Sequence, residues 1–325
     1  MLPSLLFLVG LALLLAGGEA LIRGATALAL RFGVSEVTIG LTVVAFGTSM
    51  PELVVSTLAA IRGDAGIAFG NVVGSNIANV TLLLGVTALA RPVVVQSVIV
   101  AREIPMMVLA SAAALVLALD GPFQGAASNS LRRGDGIVLL LLFVVFLYYT
   151  GADVLRDRRD DPLLAEAREA TPDRGARAGR SLLLIVGGIA GLTIGGSLLV
   201  TSASEIARSF GVPDVVIGST IVAVGTSLPE LAASLVAARH GQSDLAIGNL
   251  VGSNIFNLLF VLAVAACASP IPVPQGGAID LGAMLAVAGL VFVVSKTGRR
   301  VTRVEGVILA ACYVGYLLFQ QTRIA

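Results

Sequence analysis

The chain has 325 residues, 57% of them hydrophobic and 13% charged, with a net charge of +1 and a mean hydropathy of +0.97. Soluble domains carry about 25% charged residues, so this composition excludes a soluble globular fold and is that of a polytopic membrane protein. The near-zero charge gives no basis for a nucleic-acid partner, and the single histidine, His240 beside Arg239 in a polar connection, excludes most histidine-based metal centres and histidine-activated nucleophiles.

Hydropathy predicts about ten membrane spans, near 3–28, 37–60, 66–90, 93–118, 135–153, 181–207, 215–238, 245–268, 278–295 and 303–320. The first, beginning at Leu2, ends in small residues like a secretory leader, but no Lys or Arg precedes it, and it reads as a span. Between the fifth and sixth spans lies the one long polar stretch, with seven arginines from Arg156 to Arg180, which reads as a mobile linker. Placing this linker in the cytoplasm puts fourteen basic residues on that side and five on the other, with Arg23 and Arg102 too deep to assign. Both termini are then extracytoplasmic in a multi-pass cell-membrane protein.

The strongest signal is internal repetition. Ile39-Gly-Leu-Thr-Val-Val-Ala-Phe-Gly-Thr-Ser-Met-Pro-Glu-Leu53 matches Ile217-Gly-Ser-Thr-Ile-Val-Ala-Val-Gly-Thr-Ser-Leu-Pro-Glu-Leu231, and Gly70–Asn79 matches Gly248–Asn257. All pairs are offset by 178, and 24 of 41 positions from 39–79 are identical to 217–257 without a gap. The same offset pairs Gly17-Gly18 with Gly195-Gly196. The expected fold is therefore an all-α membrane protein of two five-helix repeats, 1–153 and 181–325, joined by the charged 154–180 linker. An odd number of spans per repeat inverts the second copy, which places the substrate site near the midplane between the copies.

Glu52 falls about fifteen residues into its span and Glu230 is its twin. A charge at such a depth costs at least ~2.5–3.5 kcal/mol on insertion scales. No Lys or Arg lies within the four core spans, so a bound cation is the expected counter-charge; the alternative is a protonated glutamate bonding helix to helix. Pro51 and Pro229 break the local hydrogen bonding and free backbone oxygens, those of Gly47 and Gly225. Thr48, Ser49, Thr226 and Ser227 add hydroxyls, and Ala45, Thr48, Ser49 and Glu52 would share one face of a continuous helix. Asn71, Ser75 and Asn79 form a second polar stripe, repeated by Asn249, Ser253 and Asn257, while Gly70 and Gly74 could form a small-residue packing face. Hard oxygens alone suit Na⁺ or Ca²⁺ rather than Zn or Cu, and two carboxylates balance one Ca²⁺ or two Na⁺. Glu19, Glu103, Glu205 and Asp280 read as span-end or secondary polar positions. No organic cofactor, obligatory protein partner or enzymatic activity is indicated; the expected partners are the ions and the bilayer.

The paired Gly-Thr-Ser-x-Pro-Glu elements, each followed by Gly-Ser-Asn-x-x-Asn, resemble the two α-repeats of the Ca²⁺/cation antiporter superfamily, and within it the prokaryotic sodium/calcium exchangers. The resemblance covers both repeat cores and the ten-span plan. It implies an antiporter moving Ca²⁺ against Na⁺ by alternating access, with the broken second and seventh helices at the centre. By position it implies Glu52 and Glu230 as shared carboxylates, backbone carbonyls from Thr48 and Thr226 for Ca²⁺ and from Ala45 and Ala223 for Na⁺. It further implies hydroxyls from Ser49, Ser227, Ser75 and Ser253, with Asn79 lining the middle and the first span of each half sliding on its glycines. Asn257 stands where potassium-dependent members have Asp, which removes one possible charge and argues against K⁺ co-transport. The alternative activity is Ca²⁺/H⁺ exchange through the same glutamates; that branch resembles Gly-Asn-x-x-Glu at the acid, which this chain lacks.

Overall fold

The structure is a computed structural model and describes residues 2–121, 128–160, 174–211 and 223–324. In chain order the helices are α1 (Leu2–Phe32), α2 (Glu36–Ile39), α3 (Ala45–Thr48), α4 (Met50–Arg62), α5 (Ala65–Ala78), α6 (Leu84–Ala90), α7 (Ile104–Ala118) and α8 (Arg133–Asp160). They continue as α9 (Arg174–Ser209), α10 (Ala223–Gly225), α11 (Leu228–Arg239), α12 (Ser243–Phe256), α13 (Leu262–Ala268), α14 (Gly277–Gly298) and α15 (Arg303–Ile324). Single π-helical turns at Gly40–Val44, Asn79–Leu83 and Asn257–Val261 join consecutive pieces, and one at Ile99–Glu103 leads into α7.

Among the described residues eight helices are long and apolar enough to cross a membrane, or nine when the bent pair Glu36–Thr48 and Met50–Arg62 counts as one span. The span expected at 215–238 falls partly on 212–222, outside the described residues; its described part is α10 and α11. Of the expected linker, 161–173 also lies outside them. Its flanks correct the expectation: α8 continues to Asp160 and α9 starts at Arg174, in stretches rich in Arg, Leu and Ala, which are good helix formers. The all-α expectation also misses four two-residue strands, β1 (Val93–Val94), β2 (Ser130–Leu131), β3 (Ile271–Pro272) and β4 (Arg300–Val301).

The chain forms two compact units, one of Met1–Thr48 with Phe146–Asn249, the other of Ser49–Val145 with Leu250–Ala325, so each draws on both halves of the sequence. In the first unit α1 and α9 run antiparallel along a seam of small residues. A Cβ on Gly10 would lie 2.9 Å from the Gly195 carbonyl, and one on Gly17 2.9 Å from the Gly188 carbonyl. Gly188 and Gly195 are the repeat mates of Gly10 and Gly17 (10 + 178 and 17 + 178), so the contact is reciprocal. Without side chains on either surface the backbones touch, and this close approach replaces the hydrophobic drive that lipid cannot supply. Leu14, Leu21, Ile22, Ile185, Leu192, Ala233 and Val236 pack around the seam. Gly18 faces elsewhere, with ordinary contacts of 3.4 Å to Ala232 and Val236 of α11.

The spans interrupted by the π-turns at Asn79 and Asn257 are the most interior. Ala65–Ala90 and Ser243–Ala268 are 78% and 83% buried over their most apolar stretch, against 33% for α8 and 17% for α15. α15 lies on α6 through Gly306 and Gly85, where a Cβ on Gly85 would sit 2.7 Å from the Gly306 carbonyl. The start of α8 meets α13 in the same way, a Cβ on Gly136 lying 2.7 Å from the Ala263 carbonyl. β1 pairs antiparallel with β4, and β2 with β3. Beyond the second strand the repeat resumes at an offset of 170, which pairs Arg132, Asp135 and Gly136 with Thr302, Glu305 and Gly306. Both helix starts are closed by the acid three residues on: Asp135 accepts from the Arg132 amide and Glu305 from the Thr302 amide, each at 2.7 Å.

Candidate functional site

Each unit contains one glutamate element, and the two are built alike. The backbone of Ser49 has φ −86° and ψ 5°, and that of Ser227 φ −89° and ψ 6°, outside helical values in both. The next residues begin new helices, with Pro51 and Pro229 in the first turn of α4 and α11. A proline there forfeits no hydrogen bond, because first-turn amides have no partner inside the helix. The expected continuous face through Ala45, Thr48, Ser49 and Glu52 is thus corrected: Ala45 and Thr48 belong to α3, Ser49 is the break, and Glu52 starts afresh in α4.

In the second unit Glu52 is fully buried. The Asn71 amide nitrogen donates to Ser56 Oγ at 2.9 Å and to the Glu52 carbonyl at 3.5 Å, tying α5 to the glutamate turn. Ser75 Oγ donates to the Asn71 carbonyl at 2.6 Å and accepts from Asn257 Nδ2 at 3.2 Å. Asn79 Nδ2 donates to Asn254 Oδ1 at 3.0 Å, and Asn254 Nδ2 to the Asn76 carbonyl at 3.1 Å. Asn79 and Asn257 are the first residues of matching π-turns, a helix distortion common at functional positions. Among the described residues the Oδ1 atoms of Asn76, Asn79 and Asn257 are buried and accept no hydrogen bond, an arrangement that costs free energy unless something cationic or protic meets them. Ser253 is buried in the same unit. Among the described residues a Cβ on Gly70 or Gly74 meets nothing within 4 Å, so no described helix packs on the small-residue face considered for them.

In the first unit Glu230 is fully buried, and the Asn249 amide nitrogen donates to Ser234 Oγ at 2.9 Å and to the Glu230 carbonyl at 3.3 Å. These three residues are the mates of Asn71, Ser56 and Glu52, so one clamp recurs in each unit. Asn249 Oδ1 accepts from Thr48 Oγ1 at 3.2 Å, which joins α3 to the clamp. Ser227 Oγ is buried, Thr226 is half-buried at the break, and Ala223 opens α10. The first unit therefore holds Ala45, Thr48, Ala223, Thr226, Ser227 and Glu230; the second holds Ser49, Glu52, Ser75, Asn79, Ser253 and Asn257.

Sequence reasoning passed over Ser56, Ser234, Asn76 and Asn254. All four lie at identical repeat positions, and Ser56 and Ser234 follow the glutamates by four residues, one turn on, so the signal was available. The secondary acids stay apart from these clamps. Glu19 bonds Arg23 at 2.6 Å and His240 at 2.8 Å, Glu103 pairs with Arg102, Asp280 accepts from Gln320, and Glu205 is exposed. No group of three His, Cys, Asp or Glu capable of holding a metal occurs among the described residues. The donors in each unit are one carboxylate and several neutral oxygens, a set that suits a hard cation bound reversibly rather than a resident transition metal.

Comparison with known proteins gives the family. The model of the family described as sodium/calcium exchanger protein matches residues 2–151 and 180–322. The sodium/calcium exchanger MaX1 of Methanosarcina acetivorans is 33% identical over 97% of both chains. The inner membrane protein YrbG of Escherichia coli is 36% identical over 83% of this chain and 81% of its own. A solved structure of the sodium-calcium exchanger NCX_Mj, soaked with Na⁺ and Ca²⁺, superposes with a TM-score of 0.80 at 31% identity, covering 97% of both chains. With a family model spanning both halves and a like-folded exchanger along nearly its whole length, this chain belongs to the sodium/calcium exchanger protein family and is a membrane antiporter.

Proposed function

We propose that the chain exchanges Ca²⁺ for Na⁺ by alternating access, and that Glu52 and Glu230 are the carboxylates that carry the ions. The observation that carries this reading is the repeated clamp: a fully buried glutamate one residue beyond a proline, in a turn held by an asparagine amide, occurs once in each unit. Insertion of a charged side chain so deep is costly, and an acid kept twice at that cost has a use for its charge. Two carboxylates balance one Ca²⁺ or two Na⁺, so the same acids can carry either cargo in turn. Ser49, Ser227, Ser75 and Ser253 hydroxyls, the Asn79 and Asn257 amide oxygens, and the carbonyls of Ala45, Thr48, Ala223 and Thr226 complete the proposed ligand set. Sodium rather than protons as the counter-ion is supported by the hydroxyl-rich Gly-Thr-Ser-x-Pro-Glu element at both acids, where the Ca²⁺/H⁺ branch resembles Gly-Asn-x-x-Glu.

The reading includes ten spans in two inverted five-helix repeats, with both termini extracytoplasmic and the 154–180 linker cytoplasmic. The antiparallel packing of α1 on α9 through matched glycines supports the inversion. The test is Ca²⁺ uptake by the purified chain in proteoliposomes. An imposed Na⁺ gradient should drive uptake, and Glu52→Gln or Glu230→Gln should abolish it without loss of membrane insertion. Uptake driven by a pH gradient and not by Na⁺ would replace the sodium reading with proton exchange; near-normal Na⁺-driven transport in either variant would remove the glutamates from the site.

A further inference from the structure

We infer that Asn254 is a positioning residue that fixes which end of the Asn79 amide faces the transported cation; the inference rests on the ion-binding role proposed above for Asn79. An asparagine side chain has an oxygen and an NH₂ group of nearly the same size, and only the oxygen can meet a cation. Left to itself, an amide beside the ion path can rotate by half a turn and present the wrong end. Something must therefore hold it, and the second unit contains a chain of bonds whose direction is set from one end.

That end is the Asn76 backbone carbonyl. A carbonyl can only accept, so the Asn254 group that meets it, at 3.1 Å, is Nδ2. Asn254 Oδ1 consequently points the other way, and the group that meets it at 3.0 Å, from Asn79, has to be a donor. Asn79 thus spends its NH₂ on Asn254, and its Oδ1 is turned away, buried and accepting no hydrogen bond among the described residues. The neighbouring amide is fixed by the same logic. Ser75 gives its hydroxyl proton to the Asn71 carbonyl at 2.6 Å, which leaves its oxygen to accept from Asn257 Nδ2 at 3.2 Å, and Asn257 Oδ1 is likewise buried and unmet. Two amides at the heads of two π-turns have both been oriented oxygen-outward. Asn254 is 2% exposed and has its other near contact with Met107 Sδ, so no solvent competes for its bonds.

The repeat supplies an internal contrast. Asn76 is the mate of Asn254, yet its Nδ2 donates at 2.7 Å to the carbonyl of Val72 in its own helix and orients no other amide. Identity of residue at the matched position is therefore not what makes Asn254 a positioning residue. Its bond across to Asn79 is.

The test uses the full chain, purified in detergent, with binding of radioactive Ca²⁺ and its displacement by Na⁺. Asn254→Leu should weaken Ca²⁺ binding by about tenfold, the order expected when a buried polar partner is removed. The decisive comparison is with Asn79→Asp, because a carboxylate offers oxygens at both positions and has no wrong end. In the Asn79→Asp background the same Asn254→Leu change should weaken binding by less than about threefold, a coupling read directly from the double-mutant cycle. A merely structural role for Asn254 gives the same loss in both backgrounds, and that result overturns the inference. So does wild-type affinity in Asn254→Leu. If Asn254→Leu does not yield a monodisperse protein, Asn254→Ala is measured in both backgrounds with the same expectations. Absence of any Ca²⁺ or Na⁺ binding by the wild-type chain would instead overturn the ion-binding role beneath it, so the two failures are distinguishable.

Discussion

Alanine at Gly188 is the sharpest test of how the first unit is held together. The added Cβ would lie 2.5 Å from the Leu21 amide nitrogen and 2.8 Å from the Gly17 carbonyl oxygen. Ordinary contact begins at 3.4 Å, so α1 and α9 must part by about 0.9 Å (3.4 − 2.5) at this point. Both colliding atoms are backbone, so no rotamer change relieves the clash, and the displacement spreads to Gly195 and Leu14 farther along the seam. Overpacking of this kind costs about 1–3 kcal/mol. Alanine regains up to ~1 kcal/mol of helix propensity over glycine, which does not reverse the sign. The neighbouring Gly187 meets nothing within 4 Å and serves as the control, since alanine there gains propensity alone. Thermal unfolding of the detergent-purified chain should show Gly188→Ala lowered by several degrees and Gly187→Ala unchanged or raised. Equal shifts in the two variants would refute the backbone-contact account of the seam.

Three further outcomes follow from the geometry. Asn71→Ala and Asn249→Ala each remove the donor to a buried serine hydroxyl, Ser56 or Ser234, and each should cost about 1–3 kcal/mol with a parallel loss of Ca²⁺ affinity, measured by thermal unfolding and ion titration. Asp135→Ala leaves the Arg132 amide at the start of α8 without its acceptor and should cost about 1 kcal/mol while transport in proteoliposomes is retained. A reporter tag placed in the 160–175 stretch should be reached by membrane-impermeant reagents only from the cytoplasmic side; labelling from outside would reverse the proposed topology.

Much of the site could be read from the sequence because the chain states it twice. One buried acid is ambiguous, whereas Glu52 and Glu230 at a constant offset, each behind a proline and two hydroxyls, constrain each other. The asparagine clamp was only half legible: Asn71 and Asn249 stood out as a stripe, but their serine partners lie on another helix, and pairings between helices are set by packing. The π-turns at Asn79 and Asn257 were hidden for a related reason. A wide turn and an ordinary one use the same residue types, and the choice between them is set by packing against neighbouring helices. From sequence the proline predicts a kink within one helix; the non-helical backbone of the preceding serine makes it instead part of the opening turn of the next. The sequence shows Gly17-Gly18 and Gly195-Gly196 as doublets, but adjacent helix positions point about 100° apart, so each doublet serves two different neighbours. The later part of the repeat is masked in the sequence because its offset drops from 178 to 170 beyond the second strand.

The reciprocal contact between α1 and α9 has a consequence for how such a chain can have arisen. Gly10 meets Gly195, the mate of Gly17, and Gly17 meets Gly188, the mate of Gly10. A patch that binds its own copy with the partners exchanged is what two identical subunits form about a two-fold axis. The same exchange recurs in the second unit, where Gly85 receives Gly306 while Ala263 receives Gly136, the counterpart of Gly306. In the inverted arrangement proposed above, a single five-helix ancestor bearing these residues would already possess both halves of a dimer interface, needing only a second molecule inserted in the opposite direction. On that view the fusion of two copies created no new contact between them; it fixed their stoichiometry and their opposed orientations, and freed positions such as Asn76 and Asn254 to take different partners.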